Sequence, residues 1–166
     1  MQLNSWRWIL VIMAPGLCCA AFFVRTASGA SLINPFHDPF ERVTAGIPGC
    51  VNPRPPTYTP AEMRGEEHWR VEQGNSCYLA GKCRYSSSYF YDKGIARRLS
   101  GALSSVSRLR DSSIWILVQG RIVELSGCVK RKSQLAVARK VAEQIPDVQG
   151  VLVHLMVGTR GARPYR

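Results

Sequence analysis

The sequence predicts an α+β fold: an αββαβ sandwich with two helices on a three-stranded mixed sheet, preceded by an irregular extension stapled by disulfides. Three observations predict it. Apolar residues recur with a helical period at Ile95, Leu99, Ala102, Leu103 and Val106, and again at Val137, Val141 and Ile145. Between and after these stretches lie β-type runs at 114–119, 122–130 and 151–157. Four cysteines, Cys50, Cys77, Cys83 and Cys128, remain behind an N-terminal leader, and an even count in an exported chain favours disulfides.

Taken in order, residues 1–30 read as a signal peptide. Arg7 precedes an apolar run over 9–24 that Pro15 and Gly16 interrupt, and small residues follow at Ala27, Ser28, Gly29 and Ala30. A spanning helix needs ~20 apolar residues, so cleavage near Ala30 is expected, with an uncleaved inner-membrane anchor as the alternative. Cys18 and Cys19 leave with the leader, because Pro15, Gly16 and Leu17 fit a lipoprotein signal poorly.

Residues 31–91 form the extension. Pro35, Pro39, Pro48, Pro53, Pro55, Pro56 and Pro60 deny regular structure to most of 31–60, and the aromatic–proline segment NPFHDPF (34–40) reads as an arm on the protein's own surface or a docking peptide. Thr59-Pro60-Ala61-Glu62 is a capping box with proline at the first helical position, so a short helix is expected at about 60–72, with Glu66 and Arg70 paired four apart. Gly74-Asn75 ends it, and Cys77 and Cys83 flank a short loop with Gly81 at its turn. Residues 84–91 alternate as a strand or an extended tyrosine-rich strip.

Residues 92–157 form the module. Asp92 is the expected N-cap of its first helix and Ser133 that of its second. Gly120-Arg121 links the first two strands, and Pro146 and Gly150 punctuate the turn into the third. Two helices cover one face of a small sheet. The other face would still show Trp115, Leu117, Leu152 and Met156, too much apolar surface to leave wet, so something covers it, with the extension the first candidate. Cys128 points to that face. The expected disulfides are therefore Cys77–Cys83 across the short loop and Cys50–Cys128 between extension and sheet. Cys50–Cys77 and Cys50–Cys83 are the alternatives.

The stretch SIWILVQGRIVELSGCVK, with VELSGCV at 123–129, the alanine-rich helix after it and VQGVLVHLMV at 148–157, resembles the BON domain, the bacterial osmotic-stress and nodulation module. The resemblance covers about 92–157. It implies an αββαβ fold with turn or strand-end glycines at Gly120, Gly127 and Gly150, no enzymatic activity, and an envelope protein that binds phospholipid surfaces or other envelope components.

Charge divides the chain. Residues 31–91 hold six basic and six acidic side chains, whereas 92–157 hold eleven against five and the tail 158–166 adds Arg160, Arg163 and Arg166. The second half therefore faces an anionic partner. The expected contacts are Lys130, Arg131 and Lys132 in a turn, with Arg97, Arg98, Arg139 and Lys140 on the helices and further arginines at Arg108, Arg110 and in a flexible tail. An anionic phospholipid surface is the first reading, with a periplasmic, membrane-associated location. The second is a protein contact within a secretion or pilus-type assembly. Nucleic acid is disfavoured, since no aromatic platform sits among the basic residues.

No catalytic or metal-binding motif emerges. His37, His68 and His154 lie far apart, Glu66-Glu67-His68 suits an exposed helix face, and no cysteine pair has tight zinc spacing. His154 reads as a structural histidine. No enzyme activity, cofactor, metal or small-molecule substrate is expected.

Overall fold

In the computed structural model, residues 30–166 are described; the expected leader, with Cys18 and Cys19, lies outside them apart from Ala30. The extension contributes β1 (Leu32–Ile33), β2 (Phe40–Arg42), β3 (Thr57–Tyr58), α1 (Pro60–Glu72) and α2 (Asn75–Leu79). The module follows as α3 (Asp92–Ser105), β4 (Ser113–Gln119), β5 (Ile122–Val129), α4 (Lys132–Glu143) and β6 (Gly150–Val157).

The main sheet has four strands in the order β2-β4-β5-β6, where three were expected. The extra strand comes from the extension: β2 runs antiparallel to β4, with Phe40 opposite Leu117 and Arg42 opposite Trp115. It satisfies backbone groups that the outer edge of β4 would otherwise leave unpaired. A separate two-stranded ladder joins β1 and β3. The mixed α+β class stands, but the extension is far less irregular than its prolines suggest.

Helices α3 and α4 pack on one face of the sheet. Ile95, Leu99 and Leu103 from α3 and Ala138 and Ala142 from α4 meet Ile114, Ile116, Val118, Val123 and Leu125, all fully buried. Each large aliphatic buried this way contributes roughly 1.5–3 kcal/mol. The β4–β5 hairpin turns on Gly120 and Arg121, both left-handed at φ 57° and 72°, as a two-residue type I′ turn requires. Gly127 has φ 121°, and a Cβ there would collide with the Ser113 carbonyl oxygen on the neighbouring strand.

Three local expectations change. Asp92 does not cap α3. It is the first helical residue, and its buried carboxylate accepts the backbone N–H groups of Gly120 (2.7 Å) and Arg121 (2.8 Å), so it clamps the hairpin instead. Ser133 does not cap α4 either; Arg131 is the N-cap, and its N–H donates to the Gln134 side chain at 2.9 Å. Residues 84–91 do not form a strand. The chain bends and closes as a 3-10 turn at Ser88–Tyr91, because the Tyr91 hydroxyl accepts the N–H groups of Arg84 and Tyr85 and the Ser87 hydroxyl accepts that of Tyr89. Helix α1 keeps its capping box: the Thr59 N–H donates to Glu62 and the Glu62 N–H to the Thr59 hydroxyl.

Both expected disulfides are present, Cys77–Cys83 and Cys50–Cys128. The latter ties the extension to the helix-free face. Arg70 of α1 adds a second tie. Its guanidinium grips Asp38 through two 2.6 Å bonds, takes Glu66 at 2.9 Å, and lies between the rings of Phe36 and Tyr89 at 4.0 and 4.1 Å. Asp38 also accepts from Gln119 of β4, so NPFHDPF lies against the chain's own sheet.

Candidate functional site

The antiparallel β4–β5 and parallel β5–β6 ladders bring the start of β4 and the ends of β5 and β6 together, with Ser113, Cys128 and Met156 in register. The segments leaving that end carry Arg108, Arg110, Lys130, Arg131, Lys132, Arg160 and Arg163, and one acid, Asp111. Their proximity is structural. Gln134 of α4 donates to the Arg108 carbonyl and to Asp111, both at 2.6 Å, and the Gly158 N–H reaches the Val129 carbonyl at 2.8 Å. Lys130 and Arg131 flank Asp111 at 3.9 and 3.2 Å, with side chains 56 and 58% exposed. Partial desolvation raises the Asp111 carboxyl, but the Gln134 hydrogen bond and the charges of Arg131 and Lys130 hold it below the usual range.

The remaining basic candidates lie elsewhere. Arg98 sits beyond the far end of α4, bonded to the Pro146 carbonyl (2.8 Å) and Asp147 (2.9 Å). Arg97 lines a groove between α3 and β2 with Lys93. Twelve residues of α4 separate that end from the 130–132 turn, roughly 18 Å at 1.5 Å per residue. Arg139 is engaged by Glu143 (3.7 Å) and the Val151 carbonyl (3.2 Å), beside an exposed Lys140. The seven residues singled out by charge thus do not form one patch. The 130–132 turn gains Arg108 and Arg110, which only the register of the sheet reveals.

The end of the tail, expected to be loose, packs against the sheet. Tyr165 is buried over the Cys50–Cys128 bond and donates its hydroxyl to the Val51 carbonyl at 2.9 Å; burial raises its hydroxyl pKa against the nearby charge of Arg163. The Arg54 N–H donates to the Arg166 carbonyl at 2.7 Å. The strap 53–58 and the tail 164–166 therefore roof part of the helix-free face, leaving Leu152 49% exposed, contrary to the expected full cover, and a cleft of about 610 Å³ beneath them.

The cleft floor is aromatic and aliphatic at Trp115, Phe40 and Leu117, with three polar groups among them. Phe40 stacks on Trp115 at 5.1 Å. The Ser126 hydroxyl donates to Glu124 Oε1 at 2.9 Å, and His154 Nδ1 lies 3.1 Å from the same oxygen. Both partners share one carboxylate oxygen, so this is not a serine–histidine–acid relay. His154 is the satisfied histidine the sequence suggests, but its partners are not legible there: Glu124 and Ser126 alternate on one strand, and only the β5–β6 register sets His154 opposite Ser126. Among the described residues no group of three or more His, Cys, Asp or Glu side chains could hold a metal, and no helix is long and apolar enough to cross a membrane.

No curated protein matches the chain. The family model of the BON domain matches residues 91–159, which run from the residue before α3 to just past β6. BON domains are phospholipid-binding, envelope- and osmotic-stress-associated modules and are generally non-enzymatic. The helix layer, the hairpin and all of the basic sheet end except Arg160 and Arg163 fall within the matched residues, so this part of the chain is similar to a BON domain.

Proposed function

We propose that the protein is exported, works without catalysis at the periplasmic membrane surface, and supports envelope integrity by binding anionic phospholipid headgroups. The observation that carries this is the basic sheet end, where seven basic residues from three connecting segments face one acid. Turn and loop residues can approach a flat surface, and each basic residue there contributes ~1 kcal/mol, enough in combination for weak reversible binding. The contacts are Lys130, Arg131 and Lys132, with Arg108 and Arg110 beside them; Arg97, Arg98, Arg139 and Lys140 extend the field from other parts of the helix layer.

Vesicle flotation tests it. The protein is expected to float with phosphatidylglycerol vesicles at low salt and to be released as the Debye length falls from ~10 Å at 0.1 M to ~3 Å at 1 M. Replacing Lys130, Arg131 and Lys132 with Ser should remove most of the bound fraction and leave the fold intact. Equal binding by parent and triple variant would overturn the reading. A protein contact within a secretion or pilus-type assembly then leads, and the exposed Trp69, Val71, Tyr78, Leu79 and Phe90 of the extension favour that surface for it.

A further inference from the structure

We propose that the cleft on the helix-free face is a binding site for a neutral hydroxylated ring, a saccharide unit of one or two sugars.

The volume, about 610 Å³, falls within the range of small-ligand sites, roughly 300–1,000 Å³. The cleft is held open before any ligand arrives. Its roof is fixed by the Cys50–Cys128 bond, by the Tyr165–Val51 and Arg54–Arg166 hydrogen bonds, and by the Tyr58 hydroxyl bonded to Gln119 at 3.0 Å. Pro53, Pro55, Pro56 and Pro164 restrict the backbone further. A preformed cavity spares a ligand the ordering that a floppy strap would demand.

Charge then selects the ligand. Glu124 spends Oε1 on both Ser126 and His154, which leaves Oε2 without a protein partner among the described residues. That oxygen repels an anion and accepts a hydroxyl. Arg54 and Arg166, which also line the cleft, repel a cation. A neutral ring with outward hydroxyls and an apolar C–H face satisfies both constraints. Its hydroxyls meet Oε2, and its C–H face packs on the half-buried Trp115 indole.

Isothermal titration of the full chain at pH 7 with four related probes tests this: N-acetylglucosamine, its β-1,4-linked disaccharide, glucosamine and glucuronate. The two neutral sugars are expected to bind, the disaccharide more tightly. The cationic and anionic rings should bind about tenfold or more weakly, since a misplaced like charge or a lost charged hydrogen bond is worth at least that factor. Glu124→Gln should weaken the disaccharide roughly tenfold while its melting temperature stays at the parental value. Trp115→Ala should abolish binding, and the Lys130/Arg131/Lys132 variant should bind sugar as the parent does. The proposal is overturned by no saturable binding up to roughly 10 mM, where affinity is only a few kcal/mol. It is equally overturned if either charged ring binds as tightly as N-acetylglucosamine, or if Glu124→Gln binds unchanged.

Discussion

The two faces of the main sheet are covered by different means. On one, Ile114, Ile116, Val118, Val123 and Leu125 disappear beneath two amphipathic helices with no exposed area, and dispersion and the hydrophobic effect suffice. On the other, Trp115, Leu117, Glu124, Ser126 and His154 lie under a proline strap and the last three tail residues, which bring little apolar surface of their own. That cover is held by a covalent bond and a few directional hydrogen bonds. A close-packed face excludes ligands, whereas one spanned by a pinned strap keeps a cavity.

The largest test of this contrast removes the covalent tie. Cys50→Ala with Cys128→Ala releases a link across 78 residues, and the chain-entropy account sets the loss at about 4–5 kcal/mol as an upper value before strain. Urea unfolding measures it. A loss under about 1 kcal/mol, the scale of one hydrogen bond, would show that the strap holds by hydrogen bonding alone and would break the comparison.

Next comes Asp92, the buried carboxylate by which the helix layer grips the hairpin. Asp92→Ala leaves the Gly120 and Arg121 N–H groups unpaired and should cost about 2 kcal/mol in the same experiment. Burial lifts the folded Asp92 pKa to about 6, against the pull of the Arg121 and Gly120 N–H donors. The folded chain thus holds this proton more tightly than the unfolded chain. Asp92 therefore destabilises the fold above about pH 6, and the effect is relieved as pH falls from there toward the ordinary carboxyl value near 4. Asp92→Asn should erase that component of the stability–pH curve. Identical curves for variant and parent between pH 4 and 6 would show that the carboxylate is solvated.

The smallest effect belongs to Tyr165→Phe. It deletes one hydroxyl bond to Val51 and should lower stability by about 1 kcal/mol. Limited proteolysis should then cut the tail sooner, while hydrogen exchange of β4 and β5 under the helices is unchanged. Faster exchange throughout both strands would mean that the two faces are not independent.

Legibility in the sequence follows the same division. Residues beneath the helices announce themselves through period, so the α3, β4, β5, α4 and β6 segments and their inward faces were readable. The bare opposite face also followed, because two helices cannot cover both sides, and with it the Cys50–Cys128 pairing. What did not follow depends on contacts distant in sequence. Strand β2 has three residues beside a proline and no period of its own; it exists because β4 offers an edge. The tyrosine alternation at 84–91 imitated a strand, but the Tyr91 hydroxyl satisfied backbone groups that a strand would need. Tyr165 looked like part of a loose basic tail until the disulfide gave it a surface to cover. Of the candidate contacts, the 130–132 turn was legible by charge. Its company of Arg108 and Arg110, and the cluster of Glu124, Ser126 and His154, required the strand register.

The order of the four described cysteines along the chain bears on biogenesis. The native pairs are nested, Cys77–Cys83 inside Cys50–Cys128. During synthesis Cys50 meets Cys77 and Cys83 well before Cys128 exists, so oxidation in order of emergence gives a wrong first bridge. The near pair is separated by only six residues, and its closure is entropically far easier than that of the long loop. Early closure of this small ring withdraws both competitors and leaves Cys50 a single destination. The short loop then acts as a kinetic guard for the long-range bond, and Cys77→Ser would raise the yield of chains trapped with Cys50 joined to Cys83.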